Sequence, residues 1–191
     1  MPELYIYAGI NGAGKTTLYY KELEKGADLG RRINIDEIVQ AIGDWKNSTD
    51  QIRAAKIALK QIRLCLLNRH TFNIETTLSG KGVLNLITNA LKQDYKITVF
   101  YVGLENSDLA KDRVALRMLK GGHFVDNKTI DRRYPKSFAN LSKVLPLVHK
   151  AYIFDNSNQF ELIAVKDTKG LEVLRTTAWL DLIIKNNDQL N

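Results

Sequence analysis

The stretch Leu4-Tyr5-Ile6-Tyr7-Ala8-Gly9-Ile10-Asn11-Gly12-Ala13-Gly14-Lys15-Thr16 decides how this chain is read. A short apolar run enters a complete G-x-x-x-x-G-K-[ST] loop, and a helix-compatible segment, Thr17 to Lys25, follows. Gly9, Gly12 and Gly14 let the backbone turn tightly and aim N–H groups at anionic oxygens. Lys15 supplies charge for the β- and γ-phosphates, and the Thr16 hydroxyl is placed to ligate Mg²⁺. The helix after the loop adds the positive end of its dipole. ATP or GTP is therefore the expected ligand, with Gly9, Asn11, Gly12, Ala13, Gly14, Lys15, Thr16 and Thr17 as its contacts. A chance glycine-rich turn would lack the strand before it and the helix after it.

Outward from this loop, strand-like and helix-like segments alternate, the pattern of an α/β fold with a largely parallel sheet. Strands are expected at Leu4–Ala8, Arg32–Asp36, Phe72–Thr76, Ile97–Val102 and Ala151–Asp155. Ile52, Ala55, Leu59, Ile62 and Leu66 recur at helical spacing and predict a helix over Thr49–Leu67, with Ser48 and Gln51 as a capping box. Further helices are expected at Lys81–Lys92, Ser107–Lys120 and Asn127–Leu147, the last broken or kinked at Pro135 because an interior proline costs about 3 kcal/mol. Phe160–Lys166 and Leu171–Arg175 read as an antiparallel hairpin, with a final helix from Ala178. The expected architecture is one P-loop NTPase domain of kinase-like type over residues 1–191. A largely parallel central sheet is flanked by helices and followed by a C-terminal β-hairpin and helix.

Composition bounds the setting. The chain has 191 residues, 45% of them apolar and 26% charged, as in an ordinary globular protein. Its only cysteine, Cys65, falls in an apolar helical stretch, so no disulfide framework exists and a cytoplasmic location is expected. No run approaches the roughly 20 apolar residues of a membrane span, and no basic-then-apolar leader is read at the N-terminus. The net charge of +7 suits an anionic substrate, an acidic protein partner or nucleic acid. The basic residues form no single long block.

The chemistry beyond the loop turns on carboxylates and arginines. A motor ATPase or GTPase would carry a Walker-B Asp on a later strand, but Ile97–Leu104 ends in Val102-Gly103-Leu104. Leu78-Ser79-Gly80 suggests the start of an ABC-type signature, but no strand ending in Asp-Glu follows. Carboxylates stand instead at Asp36 and Glu75, each read at the carboxyl end of a strand, the edge where an open α/β sheet binds ligands. Asp36 is positioned to accept a proton from a substrate hydroxyl, or merely to begin the following helix. Glu75, with Thr76 beside it, is placed to bind substrate hydroxyls or a Mg²⁺-bound water. Cationic cover over a transferring phosphoryl group would come from Arg113 and Arg117, four apart on one helix face, and from His123, Arg132 or Arg133. Gly121-Gly122 between them reads as a hinge.

Taken together, Gly9–Thr17, Ile33–Ile38, Glu75-Thr76-Thr77-Leu78-Ser79-Gly80, Arg113–His123 and Ile130–Tyr134 resemble the zeta-toxin / UDP-N-acetylglucosamine kinase family. The resemblance is closest to its compact branch labelled predicted ABC-type ATPase, and it covers about Pro2 to Asn156. It implies a P-loop kinase that uses ATP with Mg²⁺ to phosphorylate a hydroxyl of a nucleotide sugar, and a small antitoxin protein as partner. It further implies Lys15 and Thr16 as phosphate and metal contacts, Asp36 as the base, Glu75 as a substrate-binding acid and Arg117 as a phosphate clamp. The second clamp of the family falls nearer His123 than Arg132 or Arg133. Two other classes stay open at this level: a regulatory nucleotide-binding protein and a nucleic-acid-stimulated ATPase. The Asp36 and Glu75 pair favours the kinase.

His70 and His149, apart from any partner at metal-ligand spacing, read as structural or exposed. Trp45, Trp179, Tyr19 and Tyr20 read as packing residues. Asp155-Asn156-Ser157 reads as a strand-ending turn on the border of the site.

Overall fold

The strand that feeds the phosphate loop lies inside the sheet, with parallel neighbours on both sides. In the computed structural model, which describes residues 1–119, 121 and 125–185, β1 (Glu3–Ala8) pairs with β3 (Phe72–Thr76) on one side and β4 (Lys96–Gly103) on the other. The seven strands run in the order β2-β3-β1-β4-β5-β6-β7, where β2 is Arg31–Ile33, β5 Lys150–Asp155, β6 Glu161–Asp167 and β7 Gly170–Val173. The first five are mutually parallel, and the hairpin β6–β7 adds the antiparallel edge.

Strand periodicity divides the apolar residues between two faces. Leu4, Ile6 and Ala8 join Val99 and Tyr101 on one face, under α3 (Ser48–Leu67), α4 (Lys81–Leu91) and α7 (Ala178–Lys185). Tyr7 joins Phe100 and Val102 on the other, under α1 (Lys15–Glu24) and α5 (Ser107–Leu119). A sheet covered on both faces explains why its strands read as nearly continuous apolar runs. The helix α6 (Asn127–Val144) contributes Ile130 to one cluster and Leu141 to the other. Among the described residues no helix is long and apolar enough to cross a membrane.

The architecture agrees with the expected α/β class, and several local features depart from it. The second strand ends at Ile33, because Asn34 caps a helix, α2 (Ile35–Ile42), by accepting the Asp36 N–H at 2.9 Å. Asp36 therefore sits in the first turn of a helix and not at the tip of a strand. The cap of α3 is Asn47, which accepts the Thr49 N–H at 2.9 Å, while Ser48 is already helical. The helix α6 runs unbroken through Pro135. Buried Ile130, Ser137 and Leu141 anchor it on both sides, and the proline itself faces solvent, so packing overrides the lost hydrogen bond. The strand β7 ends at Val173 because Arg175 turns to pair with Asp155 at 2.9 Å and Glu161 at 3.1 Å. Tyr20 is 51% exposed and not core, unlike Tyr19.

Candidate active site

The neighbours of β1 belong to crossovers running in opposite directions, β2 and β3 to one side and β4 and β5 to the other. That reversal opens a crevice at the carboxyl end of β1, where open α/β sheets bind ligands, and residues 9–16 fill its floor. Gly9 has φ 136°, and a Cβ there would stand 2.3 Å from the Val102 carbonyl oxygen. Gly14 has φ 105°, and its Cβ would meet the Asn156 amide at 2.7 Å. Both positions require glycine for conformation and for space. Gly12 lies against α5, with the backbone of Ala110 beneath it. Ala13 is buried; its N–H donates to the Ile10 carbonyl at 3.1 Å and its carbonyl accepts from Asn156 Nδ2 at 2.8 Å.

Gly14 caps α1 without a side chain, and the first turn of α1 holds no acidic residue. Lys15 is 8% exposed, with its ammonium on the Ile10 carbonyl at 3.1 Å and 3.8 Å from Glu75. Burial pushes its pKa below the ordinary lysine value. Glu75 and Asp36 oppose that shift, and Arg117 and Arg133 reinforce it. Those four charged groups thus bear on one ammonium.

Glu75 is more occupied than the sequence suggests. Its carboxylate accepts the Thr16 hydroxyl at 2.9 and 3.0 Å, the Arg32 guanidinium at 2.9 Å and the Asn34 amide at 3.1 Å. Glu75 stands on β3, which pairs with β1 on the side opposite β4. With its proton committed to Glu75, the Thr16 oxygen keeps its lone pairs for another ligand. Among the described residues no cluster of three or more His, Cys, Asp or Glu side chains could hold a metal alone. One hydroxyl and an adjacent carboxylate, with phosphate oxygens and water completing the shell, suit Mg²⁺ rather than a fully protein-bound metal.

Two cavities open beside this floor. One, of about 290 Å³, is lined by Asn11, Lys15, Asn34, Asp36, Trp45, Gln51, Glu75, Thr76, Thr77 and Arg133 among others. The second, of about 370 Å³, is lined by Thr16, Tyr20, Asn34, Asp36, Glu37, Gln40, Trp45, Arg117 and Gly121. Asp36 borders both, with Lys15 on one side and Thr16 on the other. Trp45, expected only to pack, is half-buried and walls both cavities, with its carbonyl held by Gln51 Nε2 at 2.6 Å. The larger apolar cavity between α6 and α7, about 740 Å³ and lined by Tyr134, Phe138 and Trp179, has no loop residue in its lining.

The arginines divide by position. Arg133 bonds Asn11 at 3.0 Å and lines the cavity with Lys15. Arg117 is exposed and borders the Thr16 cavity. Arg113 instead braces the Ser157 carbonyl at 3.2 Å, and Arg132 is exposed and lines neither cavity. Thr17 is exposed on α1, and Thr76 accepts the Leu78 N–H at 3.1 Å while lining the first cavity. His123 lies outside the described residues. His149 accepts the Ile97 N–H at 3.2 Å, a structural role, and His70 is exposed.

Sequence reading missed Arg32 and Asn34, and read Asn156 as part of a turn bordering the site. Asn34 had a signal, an Asn one residue ahead of an acidic helical turn. Asn156 belongs to a turn that fixes the loop through Ala13. Arg32 had little, because two of its three acceptors lie 41 and 43 residues away on β3.

No family model matches the chain. An uncharacterized protein of Haemophilus influenzae is 26% identical over 128 residues, which are 67% of this chain and 89% of that one. Among solved structures, the AvrRxo1-ORF1:-ORF2 complex with ATP superposes with a TM-score of 0.70 at 12% identity, over 100% of this chain and 65% of that one. The PezAT chromosomal toxin–antitoxin system of Streptococcus pneumoniae gives 0.64 at 16% identity, over 98% of this chain and 78% of that one. The chain therefore shares the α/β, P-loop kinase-like fold of these structures.

Proposed function

We propose that this protein is an ATP-dependent kinase that transfers the γ-phosphoryl group to a hydroxyl of a nucleotide sugar such as UDP-N-acetylglucosamine. The observation that carries the reading is Asp36, a carboxylate that borders one cavity with Lys15 and Arg133 and the next with Thr16 and Arg117. A protein that only bound nucleotide would need no base there.

In this reading the phosphates of ATP lie along residues 9–16, receiving N–H groups from the loop and the ammonium of Lys15. Thr16, oriented by Glu75, would hold Mg²⁺, which would neutralise charge on the phosphates. Asp36 takes the proton of the acceptor hydroxyl as that oxygen bonds to the γ-phosphorus. The bond from the γ-phosphorus to the β–γ bridging oxygen breaks, and ADP leaves with its electron pair. Arg117 and Arg133 stabilise the charge on the transferring group. Glu75 is already saturated by Thr16, Arg32 and Asn34, which supports a role in ordering the phosphate side over a direct contact with the sugar.

Two supports bear on the setting. The pairing of toxin and antitoxin in the PezAT system and the +7 charge of this chain favour a small acidic protein as partner. A single buried cysteine favours the reducing cytoplasm. The test is mass spectrometry of a metabolite extract incubated with protein, ATP and Mg²⁺, against a Lys15→Ala control. Phosphorylated UDP-N-acetylglucosamine, absent from the control, is the expected result. A different phosphorylated metabolite would replace the acceptor, and none at all would refute the kinase.

A further inference from the structure

One guanidinium ties the two sides of this site together. Arg32 stands on the edge strand β2, level with Asn73 of β3 and on the same face as Glu75 two residues along. Its side chain is only 12% exposed. Nε donates to Glu37 Oε1 at 2.8 Å, a second nitrogen to Asn73 Oδ1 at 3.3 Å, and a third to Glu75 Oε2 at 2.9 Å. The guanidinium carbon sits 3.6 Å from the centre of the Tyr19 ring on α1. Each of its three nitrogens thus meets an acceptor, and one face of its plane meets an aromatic ring.

The two carboxylates belong to different halves of the proposed reaction. Glu75 carries the Thr16 hydroxyl, and Glu37 follows Asp36 in the first turn of α2. We propose that Arg32 is a positioning residue for phosphoryl transfer, whose forked grip on Glu75 and Glu37 fixes the Thr16 hydroxyl against the metal–phosphate side while holding the Asp36 helix at the acceptor side. This rests on the proposed kinase reading. A lysine here would keep the charge but offer one point in place of a planar fork, and so could not serve both carboxylates in fixed directions. Lys15 provides a further reason. When the ammonium of Lys15 turns to phosphate, Arg32 is the cation left on Glu75, and it keeps that buried carboxylate paired and correctly aimed.

The experiment is calorimetric titration of ATP, with Mg²⁺ and again with EDTA, into wild type, Arg32→Gln, Arg32→Lys, Glu75→Gln and the Arg32→Gln/Glu75→Gln pair. Outer partners of a metal ligand are commonly worth about 10–100-fold in metal affinity. Wild type is expected to bind ATP more tightly with Mg²⁺, and Arg32→Gln to lose most of that gain while its affinity in EDTA stays near wild type. The pair is expected to lose no more than Glu75→Gln alone, since Arg32 acts through that carboxylate. A residue serving only folding would lower melting temperature or shift both affinities together. If Arg32→Gln does not fold, Arg32→Lys decides by the same difference. A Mg²⁺-dependent gain that survives in the folded Arg32 variant, or additive losses in the pair, overturns this inference alone. A wild type that binds no ATP overturns the kinase reading and this inference with it.

Discussion

Thr16 and Asp36 line the same cavity, and their surroundings differ in kind. Thr16 is committed to a buried network, whereas Asp36 is exposed between two cavities, as a base that must meet a substrate has to be. Replacing Asp36 with Asn is expected to cut transfer by about 10²–10⁴-fold, the usual contribution of a general base. ATP affinity, measured by calorimetry, should barely change; a parallel loss of binding would make Asp36 a nucleotide ligand. The arginines give a second contrast. Arg133→Ala should lower kcat on the order of a hundredfold, as removal of a transition-state donor does. Arg132→Ala should leave kcat close to wild type, because that side chain borders neither cavity. Equal effects of the two, in steady-state assays, would contradict the placement of the clamp on Arg133.

At the level of elements, the loop is wedged between neighbours rather than draped over them. The end of β4 lies under Gly9, α5 under Gly12 and the turn after β5 under Gly14. Gly9→Ala puts a methyl 2.3 Å from a backbone oxygen at a φ of 136°, so the cost combines strain with a clash. A loss of more than about 1 kcal/mol is expected in denaturant melts, together with loss of ATP binding. Wild-type stability in this variant would show that the loop can move off β4. The same elements show what the sequence could and could not express. The phosphate loop and the strand before it were legible because motif, strand and helix are contiguous. The true end of β2 was obscured because Ile33-Asn34-Ile35 continues the alternation of a strand until the Asn34 side chain takes the Asp36 N–H. Pro135 misled for a different reason: burial of Ile130 and Leu141 on either side outweighs a local rule. Arg32 could not have been found locally at all, since only the pairing of β2 with β3 brings it to Glu75.

Across the whole molecule, the charge of the site couples folding to ligand binding. Burial lowers the pKa of Lys15 from its ordinary 10.5, so the folded chain releases this proton at a lower pH than the unfolded chain does. Between those two values the unfolded state holds more protons, and the contribution of Lys15 to stability rises with pH. ATP binding needs the ammonium and weakens over the same window. Thermal melts in a pH series should therefore show the stabilisation by ATP fading below pH 10.5, while the protein without nucleotide gains stability relative to Lys15→Met. A nucleotide effect that persists unchanged to pH 10.5 would mean that Lys15 stays charged and that burial does not govern it. The class of the fold was readable at this scale from the alternation of strands and helices, and the candidate site was proposed from the ordered set of motifs. The proposed acceptor was not readable in this way, because the cavity beside Asp36 is walled in part by Trp45, a residue that no motif marks.

The central claim is transfer of the γ-phosphoryl group to a hydroxyl, and ³¹P NMR of the protein with ATP, Mg²⁺ and UDP-N-acetylglucosamine tests it most directly. The account predicts a new phosphomonoester resonance growing in step with ADP, lost in Asp36→Asn. ADP appearing with an equal amount of inorganic phosphate, and no monoester, would contradict it by making water the acceptor.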